Sequence, residues 1–402
     1  MKPTCLFVGI DVSKSKHDVA VIDQNKQLVA KPFVIADNRQ GYQTLINKLN
    51  ALRQNNGQCP VKIGLEATSD YWKNLYYFLC AQSDEFQLTV INPVQTHHWA
   101  KTQLRRAKTD PLDAKEIALF MAEKNPSPTV RRTPIFDIIK DIDQRLSVIR
   151  KQLTATLNRL RLELTKVAPE LEKAIKKLDS KRILAVLIQL PTAEAMAQAP
   201  VETWRQIRYG KNNVRLPQTL IEKLKQCTTH SVAYKTGPGA GIAVQSLVRE
   251  ILFYQQEQQL LRQHMAKLYQ QISDQESLLC SIPGIRRETA IALEAYIGDV
   301  HRFPNAKKIV AYFGLNPTIQ QSGKSKRKAR LQKKGNPIVR HKLFMAVISI
   351  IRQKKGPIYR YYQRLVDSGK PKLTAIGAAM RKLLVTIYSM LKNKQPFDEN
   401  KM

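Results

Sequence analysis

The 402-residue chain is short of acid: 32 Asp and Glu stand against 66 Lys and Arg, giving a net charge of +34. An excess of that size implies a polyanionic partner, and nucleic acid is the commonest one. Cysteine is scarce too. Cys5, Cys59, Cys80, Cys227 and Cys280 form an odd, scattered set without a C-x-x-C pair. That pattern excludes a zinc ribbon and a disulfide scaffold, and it points to the cytoplasm. No transmembrane run, signal peptide or lipidation motif is read, so no membrane partner is expected. No glycine-rich stretch ends in Gly-Lys-Ser/Thr, and TGPGAG at 236–241 is read as a plain hairpin loop. His97 and His98 are adjacent and would point in different directions, so they are not a metal pair.

The chain has 43% hydrophobic residues and is long enough for two or three domains with cores. LFVGIDVSKSKHDVAVID, residues 6–23, reads as strand, turn, strand, with Asp11 at the end of the first apolar run. Alone, such an aspartate is most simply a turn residue bonding its own backbone. A third strand is expected over 28–35, a helix over 41–52, and a strand over 61–68 that carries Glu66. A helix over 71–80, a strand over 87–93 and a helix over 105–123 follow. This order is mixed α/β and fits a ribonuclease H type of sheet. Pro111 suits a first helical position with Asp110 as the cap, and Asp110 and Asp113 share one helix face. A capped helix with acids in its first turn explains those two singly. It does not explain four acids at element ends in so acid-poor a chain. Four converging carboxylates would be a hard-oxygen site for Mg²⁺, and two ions about 4 Å apart suit phosphoryl transfer.

A proline-rich linker at 125–134 marks a domain boundary. Long helices are expected over 136–178 and 243–275, with near-heptad spacing, as a central coiled coil or a dimerisation element. The intervening 183–241 segment matches no motif. Residues 281–299 read as helix, IPGI hairpin, helix, offering Gly284, Arg286 and a helix N-terminus to a phosphate. A basic run follows, with Lys324, Lys326, Arg327, Lys328, Arg330, Lys333 and Lys334 behind Ser322-Gly323. By composition alone it is a solvated patch. Helices over 338–352, 357–365 and 373–391 close the chain, with a frayed tail from 393. Tyr359, Tyr361 and Tyr362 are read as packing residues sooner than base-stacking ones.

GIDVSKSKHDVAVID, GLEATSDYW, VINPVQTHHWAKTQLRRAKTDPLDAKEIA, and the 281–317 and Ser322-Gly323 stretches together resemble the DEDD-type insertion-sequence transposases, the bridge-RNA-guided recombinases. The resemblance implies a RuvC-like domain at 1–124, linker and coiled-coil helices at 125–275 with 183–241 as an insert, and a mostly helical transposase domain at 276–402. It places an acidic tetrad on Asp11, Glu66, Asp110 and Asp113, holding two Mg²⁺ ions, and a nucleophile on Ser322, with Ser325 next in line. It further implies donor and target DNA, a structured guide RNA, a dimer or tetramer with a site shared between domains, and a cytoplasmic, nucleoid-associated protein. Nucleic-acid contacts are expected from Arg105, Arg106, Lys108 and the basic residues named above. The competing expectations are a metal-dependent junction nuclease, a DNA invertase, and a non-catalytic nucleic-acid-binding protein.

Overall fold

The computed structural model describes residues 5–82, 85–102, 110–130, 133–273, 276–318, 321–322, 325–326, 330–332 and 335–399; the side chains of 101–102, 110–112, 318, 321–322, 325–326 and 330 lie outside that description. The chain divides into two compact units, Met1–Arg131 and Arg132–Met402.

The first unit runs β1 (Leu6–Val12), β2 (Lys16–Ile22), β3 (Phe33–Ala36), α1 (Arg39–Asn55), β4 (Val61–Glu66), α2 (Trp72–Gln82), β5 (Phe86–Ile91), α3 (Pro93–Thr102) and α4 (Asp110–Lys124). Its sheet has the order β3-β2-β1-β4-β5. The first three strands form an antiparallel meander, and β4 and β5 run parallel to β1. This is the mixed sheet expected of a ribonuclease H-like domain. The period-two alternation of each strand sorts its residues onto two faces. Val8, Ile10, Val19, Val21, Ile63 and Leu65 meet α1 and α2 through Leu45, Leu49, Leu75 and Leu79. On the other face Phe7, Ile22 and Ile91 meet Trp99 of α3 and Ile117, Ala118 and Met121 of α4.

Glycine permits that second layer. A Cβ on Gly9 would lie 2.1 Å from the Ala114 carbonyl oxygen and 2.3 Å from the Ala118 amide nitrogen, both backbone atoms of α4. At Gly64 the obstacle is the Met121 side chain, whose Cγ would be 2.6 Å away. The third strand is shorter than the expected 28–35. Pro32 cannot donate to the ladder, and before it only an isolated Ile22–Leu28 bridge forms. Helix α3 was not expected from the polar 93–102 stretch. Its start signals are local: Pro93 at the first position, and Asn92 Oδ1 accepting from the Val94 amide at 2.9 Å.

The second unit begins with α5 (Pro134–Val167), α6 (Leu171–Ala174), α7 (Lys181–Gln189), α8 (Ala193–Gln198), α9 (Val201–Gln206), β6 (Arg208–Tyr209), β7 (Val214–Arg215), α10 (Gln218–Thr228) and α11 (Ile242–Gln270). A 3₁₀ turn (Leu278–Ser281), α12 (Arg287–Ile297) and α13 (Ala306–Tyr312) follow. Then come β8 (Pro317–Thr318), β9 (Gln321–Ser322), β10 (Ser325–Lys326), β11 (Arg330–Leu331), α14 (Pro337–Gln353), α15 (Gly356–Asp367) and α16 (Lys372–Asn393).

Helices α5 and α11 lie antiparallel. Ile139 and Leu146 share a cluster with Met265 and Tyr269 at one end; Leu160, Leu164 and Val167 share another with Val244, Val248 and Ile251 at the opposite end. The first of these helices stops at Val167, not near 178, because Pro169 forces Ala168 out of the helical region, to φ −162° and ψ 61°. The 183–241 segment wraps around the fully buried Trp204 against the Val167 end of the pair. The TGPGAG run is flanked by no described strand and leads through Gly241 directly into α11. Before α12 the expected first helix of a helix-hairpin-helix is a single 3₁₀ turn. The remaining core joins Leu293 of α12 to Leu343 and Val347 of α14 and Leu383, Leu384 and Ile387 of α16. Tyr362 is buried there, and Tyr359 and Tyr361 pack against it. The tail is docked, not frayed: Phe397 packs on this core and its amide donates to Ser281 Oγ at 2.8 Å. Among the described residues no helix is long and apolar enough to cross a membrane.

Two stability predictions follow from this packing. Gly9→Ala drives a methyl group into the backbone of α4 and should destabilise the first unit by roughly 1–3 kcal/mol. Gly64→Ala should cost less, because a flexible methionine can yield; calorimetric unfolding of both variants checks the order. In the second unit, Asp143 is 1% exposed and accepts from Lys342 Nζ at 2.6 Å. Asp143→Ala strands a buried ammonium and should cost roughly 3–5 kcal/mol, whereas Asp143→Leu with Lys342→Met should recover most of that loss in the same measurement.

Candidate functional site

Asp11 follows Ile10 in β1, and Glu66 follows Leu65 in β4. Ile10 and Leu65 are partners in the parallel register, so the two acids come next to each other where both strands end. Their neighbours turn toward α1 and α2, so alternation puts both carboxylates on the α4 side. Asp113 stands in the first turn of α4, one residue before Ala114, which presses on Gly9 two positions upstream of Asp11. Asp110 is the first residue of α4. Its side chain lies outside the described residues, as do Arg105, Arg106 and Lys108.

Two polar residues at this place had not been singled out from sequence. Thr96 of α3, 8% exposed, donates through Oγ1 to Glu66 Oε1 at 2.6 Å and so orients that carboxylate. Asp18 stands directly opposite Asp11 in the β1–β2 register and is 5% exposed. Lys16 Nζ lies 3.8 Å from its Oδ2. The signal for Asp18 was available: a turn centred on residues 14–15 pairs position 11 with 18. Thr96 was hidden with α3 itself.

The donors gathered here are carboxylates without imidazole or thiolate, a set that fits a hard divalent cation in kind. Among the described residues, no three His, Cys, Asp or Glu side chains are grouped closely enough to hold a metal ion.

In the second unit, Ser322 of β9 pairs with Ser325 of β10. The side chains of both, with those of Lys326 and Arg330, lie outside the described residues, as do Gly323, Lys324, Arg327, Lys328, Lys333 and Lys334. The base of this loop is fixed. Thr318 pairs with Arg330, the Gln332 amide donates to the Asn316 carbonyl at 2.9 Å, and Arg340 Nη1 donates to the carbonyls of Gly335 at 2.9 Å and Phe313 at 3.2 Å. Gly335 has φ +112°, and a Cβ there would lie 2.3 Å from the Tyr312 carbonyl oxygen.

Gly284 and Arg286 line a cleft of about 920 Å³ bounded by α5, the start of α12, and α14. Gly284 has φ +89° and lies against Ser349 and Ile350 of α14. No side chain caps α12, so its first amides are left for solvent or a ligand. Lys151, Arg286, His341 and Arg352 line the cleft without a carboxylate partner among the described residues. Glu288 pairs with both Arg150 and Arg262, the latter at 2.7 Å. Burial works to raise its carboxyl, but the two guanidiniums outweigh it and hold the group below the ordinary glutamate value. The Asp143–Lys342 pair lies at the same cleft.

Comparison with known proteins gives these features a family. A DEDD transposase model of the IS110 type matches residues 8–169, and a model described as the transposase IS116/IS110/IS902 family matches residues 276–363. The pilin gene-inverting protein of Moraxella bovis is 24% identical over 394 residues, 98% of each chain. The 43.6 kDa protein of insertion element IS110 from Streptomyces coelicolor is 26% identical over 297 residues, 71% of each chain. The transposase for insertion sequence element IS1111A of Coxiella burnetii is 32% identical over 76 residues, 19% of this chain and 21% of its own. With one model matched by its sheet and first long helix and the other by its C-terminal helices and serine loop, this chain belongs to the IS110/IS116/IS902 family of DEDD transposases and is a DNA-recombining enzyme.

Proposed function

We propose that this enzyme cuts and rejoins DNA at specific sites through a serine-linked intermediate, with Asp11, Glu66, Asp110 and Asp113 holding divalent metal, Mg²⁺ by the hardness of the donors. The observation that carries this reading is the pair of carboxylates on adjacent strand ends beneath a helix whose first turn supplies two more. Metal bound there would neutralise charge gathering on the phosphate and lower the pKa of an attacking oxygen. The Ser322 hydroxyl attacks phosphorus, one P–O ester forms as another breaks, and the serine proton ends on the released sugar hydroxyl. A sugar hydroxyl freed from a second cut strand then attacks the phosphoserine, a new diester forms as the serine P–O bond breaks, and the proton returns to the serine oxygen, so neither water nor a nucleotide is consumed. Thr96 keeps Glu66 oriented for metal.

The cleft beside α12, with its unpartnered cations and open helix start, suits a phosphate backbone. The further nucleic-acid contacts proposed from sequence are Arg105, Arg106 and Lys108, and Gly323 to Lys334 of the serine loop. The net charge of +34 is compatible with carrying a structured guide RNA together with donor and target duplexes, and this is the proposed partner set. DNA inversion is a second reading, favoured by the similarity to the pilin gene-inverting protein of Moraxella bovis. The antiparallel α5–α11 pair is the proposed coiled-coil element of a homo-oligomer, since Leu162, Phe253 and Leu260 on it are exposed.

The decisive test is covalent trapping. Protein, guide RNA and labelled junction DNA are incubated with Mg²⁺ and resolved under denaturing conditions. Wild type should give a protein–DNA adduct. Ser322→Ala should give none, and Asp11→Asn and Glu66→Gln should lower its rate by about 10³-fold, the equivalent of several kcal/mol of lost charge stabilisation. Cleavage that survives Ser322→Ala without an adduct would instead identify a metal-dependent nuclease. For assembly, light scattering should give a dimer or larger species for wild type and a smaller one for Leu162→Lys/Phe253→Lys; a wild-type monomer would end that part of the proposal.

A further inference from the structure

The 168–241 lobe contains a second concentration of cations, lining none of the α12 cleft. Lys176, Lys177, Lys181 and Arg182 lie just before and at the start of α7, and Arg205, Arg208, Lys211 and Arg215 lie on and beside the β6–β7 hairpin. Among the described residues none of these eight forms an ion pair. Of the acids in the lobe, Glu170 and Glu194 are committed elsewhere, while Glu172, Asp179 and Glu202 remain as a minority charge beside the eight cations. Glu170 accepts from Ser231 Oγ at 2.7 Å and the Val232 amide at 2.8 Å, and Glu194 accepts from the Gly237 amide at 2.7 Å. Like charges gathered within a Debye length, about 10 Å at 0.1 M salt, oppose folding unless a polyanion offsets them.

Three of the cations, Lys181, Arg182 and Lys211, line a shallow open cleft. A space of about 500 Å³ is lined by Ser180, Lys181, Arg182, Tyr209, Lys211 and Asn212. Ser180 precedes α7 but does not cap it. Its Oγ is buried and has no hydrogen-bond partner. A buried hydroxyl without a partner is uncommon and asks for a ligand or water. The first amides of this nine-residue helix are open as well. Gly210, at φ +74° with nothing within 4 Å of its Cβ position, lets backbone or ligand approach the hairpin tip. Tyr209 is half-buried at the rim, where one ring face could meet a base or sugar.

We infer that the cleft between the β6–β7 hairpin and the start of α7 is a nucleic-acid backbone site, taking phosphodiesters on Lys181, Arg182, Lys211 and the α7 amides. It is an anchoring site: the lobe carries a nucleic-acid strand and takes no part in the chemistry. The inference does not rest on the metal or serine reading.

Fluorescence anisotropy against labelled single-stranded RNA, single-stranded DNA and duplex DNA, over a salt series, tests it in the full chain. Lys181→Gln/Arg182→Gln/Lys211→Gln should weaken binding to at least one of these about tenfold or more. It should also reduce the slope of log affinity against log salt by about 2, the share of three single-strand phosphate contacts. The arm that responds identifies the strand type. Unchanged affinity and slope in all three arms would overturn the site. A lysine-acylation footprint on the wild-type protein needs no variant: bound strand should protect Lys181 and Lys211 several-fold relative to Lys223 and Lys225, and equal modification of all four would also overturn it.

Discussion

The approach of one helix to one strand sets the candidate catalytic face. Backbone of α4 rests on backbone of β1 at Gly9, with no side chain between them. That contact brings the first turn of α4, with Asp113, down toward the strand ends where Asp11 and Glu66 emerge. A second glycine, Gly64, makes room for Met121 further along the same helix, so α4 is seated on two neighbouring strands. The like charges of the acids oppose this approach. Apolar contacts of Ile117, Ala118 and Met121 with Phe7, Ile22 and Ile91 supply the adhesion. Thr96 then fixes a carboxylate that strand geometry alone leaves free to rotate.

The sheet was readable because its signals are local and periodic. Val8, Ile10, Val19 and Val21 alternate cleanly, so counting along the strands already places Asp11 and Glu66 at their ends. What escaped had other causes. Helix α3 is weakly amphipathic, and its evidence was two capping residues, Asn92 and Pro93, and not a stripe. The first long helix was read on to 178 although Pro169 stops it at Val167, through one missing N–H and one steric clash. The lobe at 168–241 has seven short elements whose core forms through distant partners, with Trp204 buried against the ends of helices far away in sequence. No window of sequence contains that information. The tail looked loose because it is polar, yet one phenylalanine and one amide are enough to seat it.

The few acids are used sparingly and mostly for architecture. Asp143 neutralises a buried lysine, Glu288 ties two arginines of different helices, and Glu170 and Glu194 pin a loop by its amides. Such a distribution leaves cations uncompensated in patches, and it is the patches, more than the total, that give a basic protein direction when it meets a polyanion.

Helix α5 gives those patches a fixed scale. One end is locked into the core with α12 through Ile139 and Leu146, and the other into the small lobe through Leu160, Leu164 and Val167. Its 34 residues span about 50 Å at 1.5 Å per residue. A rod of that length is a ruler: it sets how far apart two grips on one nucleic acid can be. Fifty ångströms of B-form duplex is about 15 base pairs at 3.4 Å each. Adding whole turns to α5 and to its partner α11 on the lobe side of the α12 cleft would carry the small lobe, with its own cations, farther from the α12 core.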